Sequence, residues 1–259
     1  MKEFMRKTQI SSRRGFSLVE VVIAIGIVAV LLTTFMAVFG PAQKNINRAL
    51  GVADANRLVT TLENEMAVLR EGEETEYVDA NGNASAFEKA FQWIKDSATE
   101  SSALVVYQYQ AVPDSENADG TLKAADLALV KDESKFAGVD YITQTVARCI
   151  SRNASSFMQD ELAPGIVQGK VYAVRMTQLV KGTNSGDGLV LGTPGTIANP
   201  VDSDVSNPTD SATYDDAYIT LQVEFFPLNN NLYDYVTGGS WEFDKLGAPV
   251  ATQNIAVRR

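Results

Sequence analysis

The 259-residue chain has no histidine and a single cysteine, Cys149. Without histidine, Ser-His-Asp and Cys-His catalytic arrangements and imidazole-based zinc sites are excluded, and one cysteine allows neither a multi-thiolate metal site nor an intramolecular disulfide. No CxxC, Gly-x-Ser-x-Gly or phosphate-binding loop occurs, and Gly186, Gly188 and Gly192 miss the dinucleotide-binding spacing. Carboxylates are plentiful, yet nothing in the sequence singles out a pair for acid–base work. These absences predict a protein that is not an enzyme. Positive charge is also scarce: 22 Lys and Arg against 32 Asp and Glu give a net charge of -10. An acidic chain of this kind is not built to hold phosphate backbones, so no direct nucleic-acid binding is expected.

What the chain does have is concentrated in its first forty residues. Ser12-Arg13-Arg14-Gly15-Phe16-Ser17-Leu18-Val19-Glu20 leads into an apolar run ending at Phe39, interrupted only by Ser17, Glu20, Thr33 and Thr34. As a helix rising about 1.5 Å per residue, the run from Phe16 to Phe39 reaches about 36 Å, enough for a hydrocarbon core of about 30 Å. A carboxylate in that core costs up to about 2.5–3.5 kcal/mol at the bilayer centre and less near the interface, so Glu20 calls for a partner or a task. Residues 1–15 carry Lys2, Arg6, Lys7, Arg13 and Arg14 against Glu3, and positive flanks stay cytoplasmic, which directs the larger C-terminal part outward.

The run Gly15-Phe16-Ser17-Leu18-Val19-Glu20, followed by Val21-Val22-Ile23-Ala24-Ile25, resembles the N-terminal signal of type IV prepilins and type II secretion pseudopilins. The resemblance covers only about the first forty residues. It implies cleavage after Gly15 by a membrane-embedded prepilin peptidase, N-methylation of the new terminus at Phe16, and a requirement for Glu20 in assembly with other pilin or pseudopilin subunits. It also implies a long N-terminal helix whose outer half packs on a sheet of the same subunit. Physically, a terminal amine at Phe16 could be neutralised by Glu20 of a neighbouring subunit. Such a pair is attractive in low dielectric and an unpaired acid is costly, so axial register is rewarded. Many type IV pilins staple the C-terminal region with a disulfide, which this chain cannot form; that shifts the expectation toward a pseudopilin or minor pilin.

An overlapping reading competes. Ser12-Arg13-Arg14-Gly15-Phe16 also fits a twin-arginine export motif, with cleavage near Ala37 to Ala42 releasing a soluble protein. The alternative function is thus an exported or membrane-anchored binding domain that does not polymerise. Glu20 within the apolar core and the length of that core weigh against it.

Beyond the apolar run, Gly40-Pro41 predicts a kink or short break. Ile46, Leu50, Ala53, Leu58, Leu62, Met66 and Leu69 then form a helical stripe expected to end near Glu71-Gly72, where Glu73, Glu74 and Glu76 open a polar stretch. Ser85 to Ser97 reads as an added amphipathic helix. Leu104 to Tyr109, Lys170 to Met176 and Ala217 to Phe225 read as strands, with short edge strands at Trp241 to Phe243 and Asn254 to Val257. Val139, Ile142, Val146, Cys149 and Ile150 fall at helical spacing and predict a helix with Cys149 buried. Asn184 to Tyr214, rich in Gly, Pro, Ser, Thr and Asp, reads as a long exposed loop.

Together these readings give an α+β fold: a basic leader (1–15), a transmembrane and assembly helix (16–39), its amphipathic outer half (40–71), and a head (72–259) with a long loop over 184–216. The helix packs on an antiparallel sheet, as in pilins. The chain is expected in the bacterial inner membrane as a single-pass protein, N-terminus cytoplasmic and head outward, and in a surface filament or pseudopilus after assembly. Oxygen ligation is the one metal chemistry left open. Asp202, Asp204, Asp210, Asp215 and Asp216 cluster in the loop, and some pseudopilins similar to this chain hold a disulfide-free loop with calcium. The EF-hand pattern fails when counted from Asp202, because Asn207 replaces the glycine and Thr213 the terminal glutamate.

Overall fold

The computed structural model describes residues 17–125, 141–152, 156–182, 188–199, 208 and 210–259, without the side chains of Pro41 and of residues 44–55. The chain divides into two compact units, Met1–Leu50 and Gly51–Arg259. The described part of the first, from residue 17 on, is helical from Leu18. The second is a sheet-based head.

Helix α1 runs from Leu18 to Ala67. Of the kink or short break expected at Gly40-Pro41, the break does not occur: the helix continues through the proline, at the expense of one backbone donor. It ends four residues before the expected stop. Gly72, at φ 90°, then takes the left-handed conformation that a side chain resists, and a 3-10 turn follows over Glu73–Thr75. The acidic stretch is not simply solvated, because Glu73 is buried.

Helix α2, Ala86–Asp96, forms where the spacing predicted it. Ser85 caps its start by accepting from Glu88 N at 3.0 Å, and Phe87, Phe91 and Ile94 turn one face inward. Seven antiparallel strands follow: β1 (Leu104–Glu116), β2 (Leu122–Ala124), β3 (Ile142–Cys149), β4 (Val167–Lys181), β5 (Leu189–Leu191), β6 (Tyr218–Pro227) and β7 (Ala251–Arg258). The order is β2-β1-β4-β6-β7, with β3 also on β1 and β5 on the far end of β4.

Alternation along the strands builds two cores, one on each face. Leu104 and Val106 of β1, Val174 and Met176 of β4, and Ile219, Leu221, Val223 and Phe225 of β6 meet Leu58, Leu62 and Met66 of α1 and the aromatic face of α2. Val105, Tyr107 and Tyr109 of β1 and Ala173 of β4 point the other way, onto Met158, Leu162, Val236, Trp241 and Phe243. The sheet is therefore covered on both faces.

Three expectations are corrected. Residues 142–149 are strand, not helix: Ile142, Val146 and Ile150 are four apart, and a four-residue step stays on one face of a strand as well as of a helix. The β-branched content of Ile142, Thr143, Thr145 and Val146 and eight-residue pairing with β1 decide for strand. Cys149 is nonetheless buried. Trp241 to Phe243 is not a strand; Trp241 is buried with its ring edge-on to Phe243 at 5.2 Å, and Phe243 begins a 3-10 turn. The 184–214 segment is not wholly an exposed excursion, since it contributes β5 and buries Ile197 and Tyr214. The expected strand at Asn254 to Val257 lies within β7.

Candidate functional site

The start of α1 is set by Ser17, whose hydroxyl accepts from Val19 N at 3.2 Å while its carbonyl accepts from Glu20 N and Val21 N at 3.0 and 3.2 Å. This is an N-cap, which contributes about 1 kcal/mol to a helix. Glu20 is the acid of the first turn. From Leu18 to Gly40 the helix is long and apolar enough to cross a membrane, with mean hydropathy 2.8 and none of its residues buried within the chain. The side chains that a soluble core helix would hide are all outside. Thr33 and Thr34 do not spoil this surface: the Thr33 hydroxyl donates to the carbonyls of Ala29 and Val30 at 3.0 and 2.9 Å, and that of Thr34 to Val30 at 2.8 Å. Their polar groups are satisfied inside the helix, as an apolar solvent demands.

Glu20 is different. Among the described residues no ion pair includes it; the pairs found all lie beyond residue 64. The positive end of the helix dipole favours a carboxylate in the first turn by about 0.3–1 kcal/mol. That is smaller than the insertion penalty of about 2.5–3.5 kcal/mol at the bilayer centre, so the dipole alone does not settle the acid at depth. A cation from elsewhere would. Gly15 and Phe16, the expected processing residues, lie outside the described residues.

Of the acids considered for calcium, the described ones, Asp210, Asp215 and Asp216, each accept from a different group. Asp202 and Asp204 lie outside the described residues. Asp210 caps the 3-10 turn Ser211–Thr213, accepting from Thr213 N at 3.1 Å; Asp215 accepts from the Asn199 side-chain amide; Asp216 accepts from Ala217 N at 2.7 Å. Among the described residues no three acidic or thiol groups converge as metal ligands.

The head instead holds buried charges that sequence reasoning missed. Arg148 of β3 is 2 % exposed; its Nη1 donates to Asp119 Oδ2 at 2.5 Å, Nη2 to Glu161 Oε1 at 2.6 Å and Thr121 Oγ1 at 3.1 Å, and Nε to Glu161 Oε2 at 3.2 Å. The Tyr107 hydroxyl donates to the same Glu161. Burial works against the Arg148 charge, but Glu161, Tyr107 and Asp119 outweigh it and hold its pKa above the ordinary value. On the other face, Lys89 Nζ donates to Glu73 Oε2 at 2.7 Å and Val68 O at 3.2 Å, and sits 4.8 Å over the Trp93 ring. Desolvation lowers its pKa despite Glu73. Arg70 links the two groups: its backbone N–H donates to Glu73 Oε2 at 2.9 Å and its Nη1 to Asp119 O at 3.4 Å, while Nη2 and Nε donate to Glu65 Oε1 and Oε2 at 2.5 and 2.9 Å. One sign was available: a lone arginine in the apolar run Val146-Ala147-Arg148-Cys149. Each of these charges is paired with an opposite one inside the head.

Neither the curated proteins nor the solved structures contain a match to the chain. The match is confined to the beginning, where geometry had placed a capped, wholly exposed apolar helix with one acid in its first turn. Residues 10–36 fit the family model of the prokaryotic N-terminal methylation motif, and the chain thus carries the signature of type IV prepilins and pseudopilins.

Proposed function

We propose that the protein is a structural subunit of a type IV pilus or a type II secretion-like pseudopilus. In this reading prepilin peptidase cleaves after Gly15, Phe16 becomes the methylated terminus, and α1 carries the subunit first into the inner membrane and then into the filament. The head faces outward, as the basic leader directs. The observation that carries the reading is the methylation motif at residues 10–36 running directly into an apolar helix with no buried residue. A helix that exposes its whole apolar surface needs a solvent other than water: lipid before assembly, neighbouring helices after it.

Glu20 is assigned the register. Its carboxylate has no cation among the described residues, and processing would create one at Phe16 of a neighbouring subunit. Removing one partner of a desolvated ion pair costs about 3–5 kcal/mol, enough to exclude misregistered subunits. The mechanism is assembly, not catalysis.

Intact-mass measurement and N-terminal sequencing of the membrane-extracted protein, from cells that contain a prepilin peptidase, test this directly. The expected chain begins at methylated Phe16. A terminus near Ala42 on a soluble product would mean twin-arginine export, and an intact Met1 would mean a simple anchor; either rejects the proposal. Glu20→Ala is expected to insert in the membrane and fail to join filaments, and normal assembly of that variant rejects the register role.

A further inference from the structure

Among the described residues β7 and β5 are two of the strands that pair on one side only. β7 ends the sheet order, pairing only with β6. Because Arg259 N donates to Ala217 O, the register sends the backbone groups of Val257, Ile255 and Gln253 toward β6 and those of Thr252, Asn254, Ala256 and Arg258 outward. Beside this edge, between β7 and α1, lies an open groove of about 350 Å³. Its floor and walls include Met66, Ala67, Ala86 and Ala256, small or flexible apolar groups that leave room for branched side chains, and Glu63 and Arg258 stand at its rim.

The second edge belongs to β5. Gly192 N donates to Gln178 O and Gly182 N to Gly188 O, so Val190 pairs with β4 while Leu189 and Leu191 turn their N–H and C=O groups outward. All three side chains are exposed, at 60, 42 and 50 %. Three consecutive exposed apolar residues on an open strand edge are what soluble proteins usually avoid. No lysine, proline or bulge within β5 guards it.

We propose that β5 of one copy of the chain adds to the outer edge of β7 in a second copy, with the side chains on one face of β5 seated in the groove beside α1. Backbone hydrogen bonds give the strand its direction and the groove takes its side chains, as in other strand-addition contacts. Lys181, in register opposite Leu189, brings a cation to the Glu63 rim. The contact is heterologous: each copy offers one β5 and one β7, so it propagates without closing, which is the symmetry a filament requires. The inference rests on the subunit reading above and extends it to the head, identifying a second copy as the partner.

The test uses the full-length chain in cells that contain a prepilin peptidase. Val190→Cys and Ala256→Cys are introduced singly and together, and surface filaments are treated with a bismaleimide cross-linker. The expected result is a ladder of covalent multimers from the double variant and none from either single variant, with Leu189→Asp/Leu191→Asp in the double background losing the ladder. Filaments of normal composition starting at Phe16 but without a ladder overturn the docking inference alone. A chain that keeps Met1, or a Glu20→Ala variant that assembles normally, overturns the subunit reading and the inference together.

Discussion

Replacing Arg148 by methionine is the sharpest perturbation of the head. The guanidinium is 2 % exposed and donates four hydrogen bonds, to Asp119, Thr121 and twice to Glu161, whose own exposure is 1 %. Methionine fills part of the volume but leaves the Asp119 and Glu161 carboxylates without the guanidinium that paired both. Breaking a buried pair by removing one partner costs about 3–5 kcal/mol, against a total stability of about 5–15 kcal/mol for a domain. For a unit of this size each kcal/mol moves the melting temperature by about 2–4 °C, so the expected fall is about 6–20 °C. Intrinsic tryptophan fluorescence of the detergent-solubilised full chain reports it cleanly, because both tryptophans, Trp93 and Trp241, are buried in the head. The triple variant Arg148→Met/Asp119→Leu/Glu161→Leu removes the orphaned acids and is expected to regain most of the loss, since apolar replacements of a whole buried ionic group are often neutral. A drop below about 1 kcal/mol in the single variant, typical of a surface pair, would refute the argument.

The same site sets an acid limit. Burial alone would raise the Asp119 pKa, but Arg148 and Thr121 hold it below the ordinary carboxylate value, so its contribution is complete above about pH 4 and is lost as pH falls through the lower folded value. Wild-type thermal stability should decline over that acid range, with Asp119's share of the decline missing in Arg148→Met; equal acid slopes in the two chains would contradict this. Cys149 is buried and its thiol is pushed up by desolvation, so N-ethylmaleimide is expected to label it only on unfolding; rapid labelling of the native protein at pH 7 would disprove the burial. Gly195 has φ 74° and an added Cβ would lie 2.6 Å from Ala98 Cβ, so Gly195→Ala should destabilise the head by about 1–3 kcal/mol, measurable as a lower melting temperature.

How far the sequence could be read depended on whether the forces involved are local. The apolar run, the α2 stripe capped by Ser85 and the alternation in Ala217 to Phe225 are all local periodicities, and each became the element expected. Residues 142–149 failed because a four-residue step satisfies helix and strand alike and only pairing with β1 distinguishes them. No local pattern marks Glu73 or Lys89 as buried, since burial of a charge is decided by partners well removed in sequence, as with Lys89 and Glu73, 16 positions apart, and with Glu161 and Asp119, 13 and 29 positions from Arg148. At the candidate site the pattern was plainer. Glu20 stands out by composition alone, as the one charged residue in the apolar run from Phe16 to Phe39.

Those missed charges explain how a head without a disulfide holds its long connections. Lys89 ties α2 to the turn at Glu73, Arg70 ties the end of α1 to Asp119, and Arg148 ties β3 to Asp119 and Glu161. The segment around Ser211 is held from two sides: its N–H donates to buried Glu88 Oε2 at 2.7 Å, a contact across 123 positions, and Arg259 donates to the carbonyls of Ser211 and Tyr214. Tyr214 then packs against Phe87 and Phe91 with ring centroids 6.2 Å away. A disulfide would stabilise such a loop mainly by restricting the unfolded chain. Buried charge-assisted bonds act only in the folded state and fail together once water reaches them. The segment should therefore detach cooperatively: Glu88→Gln, which keeps the side-chain length but weakens the bond to Ser211, is expected to speed proteolysis within residues 210–214 while leaving β1 and β4 protected. Uniform loss of protection across the head in limited proteolysis would show instead that the loop is integral to the core.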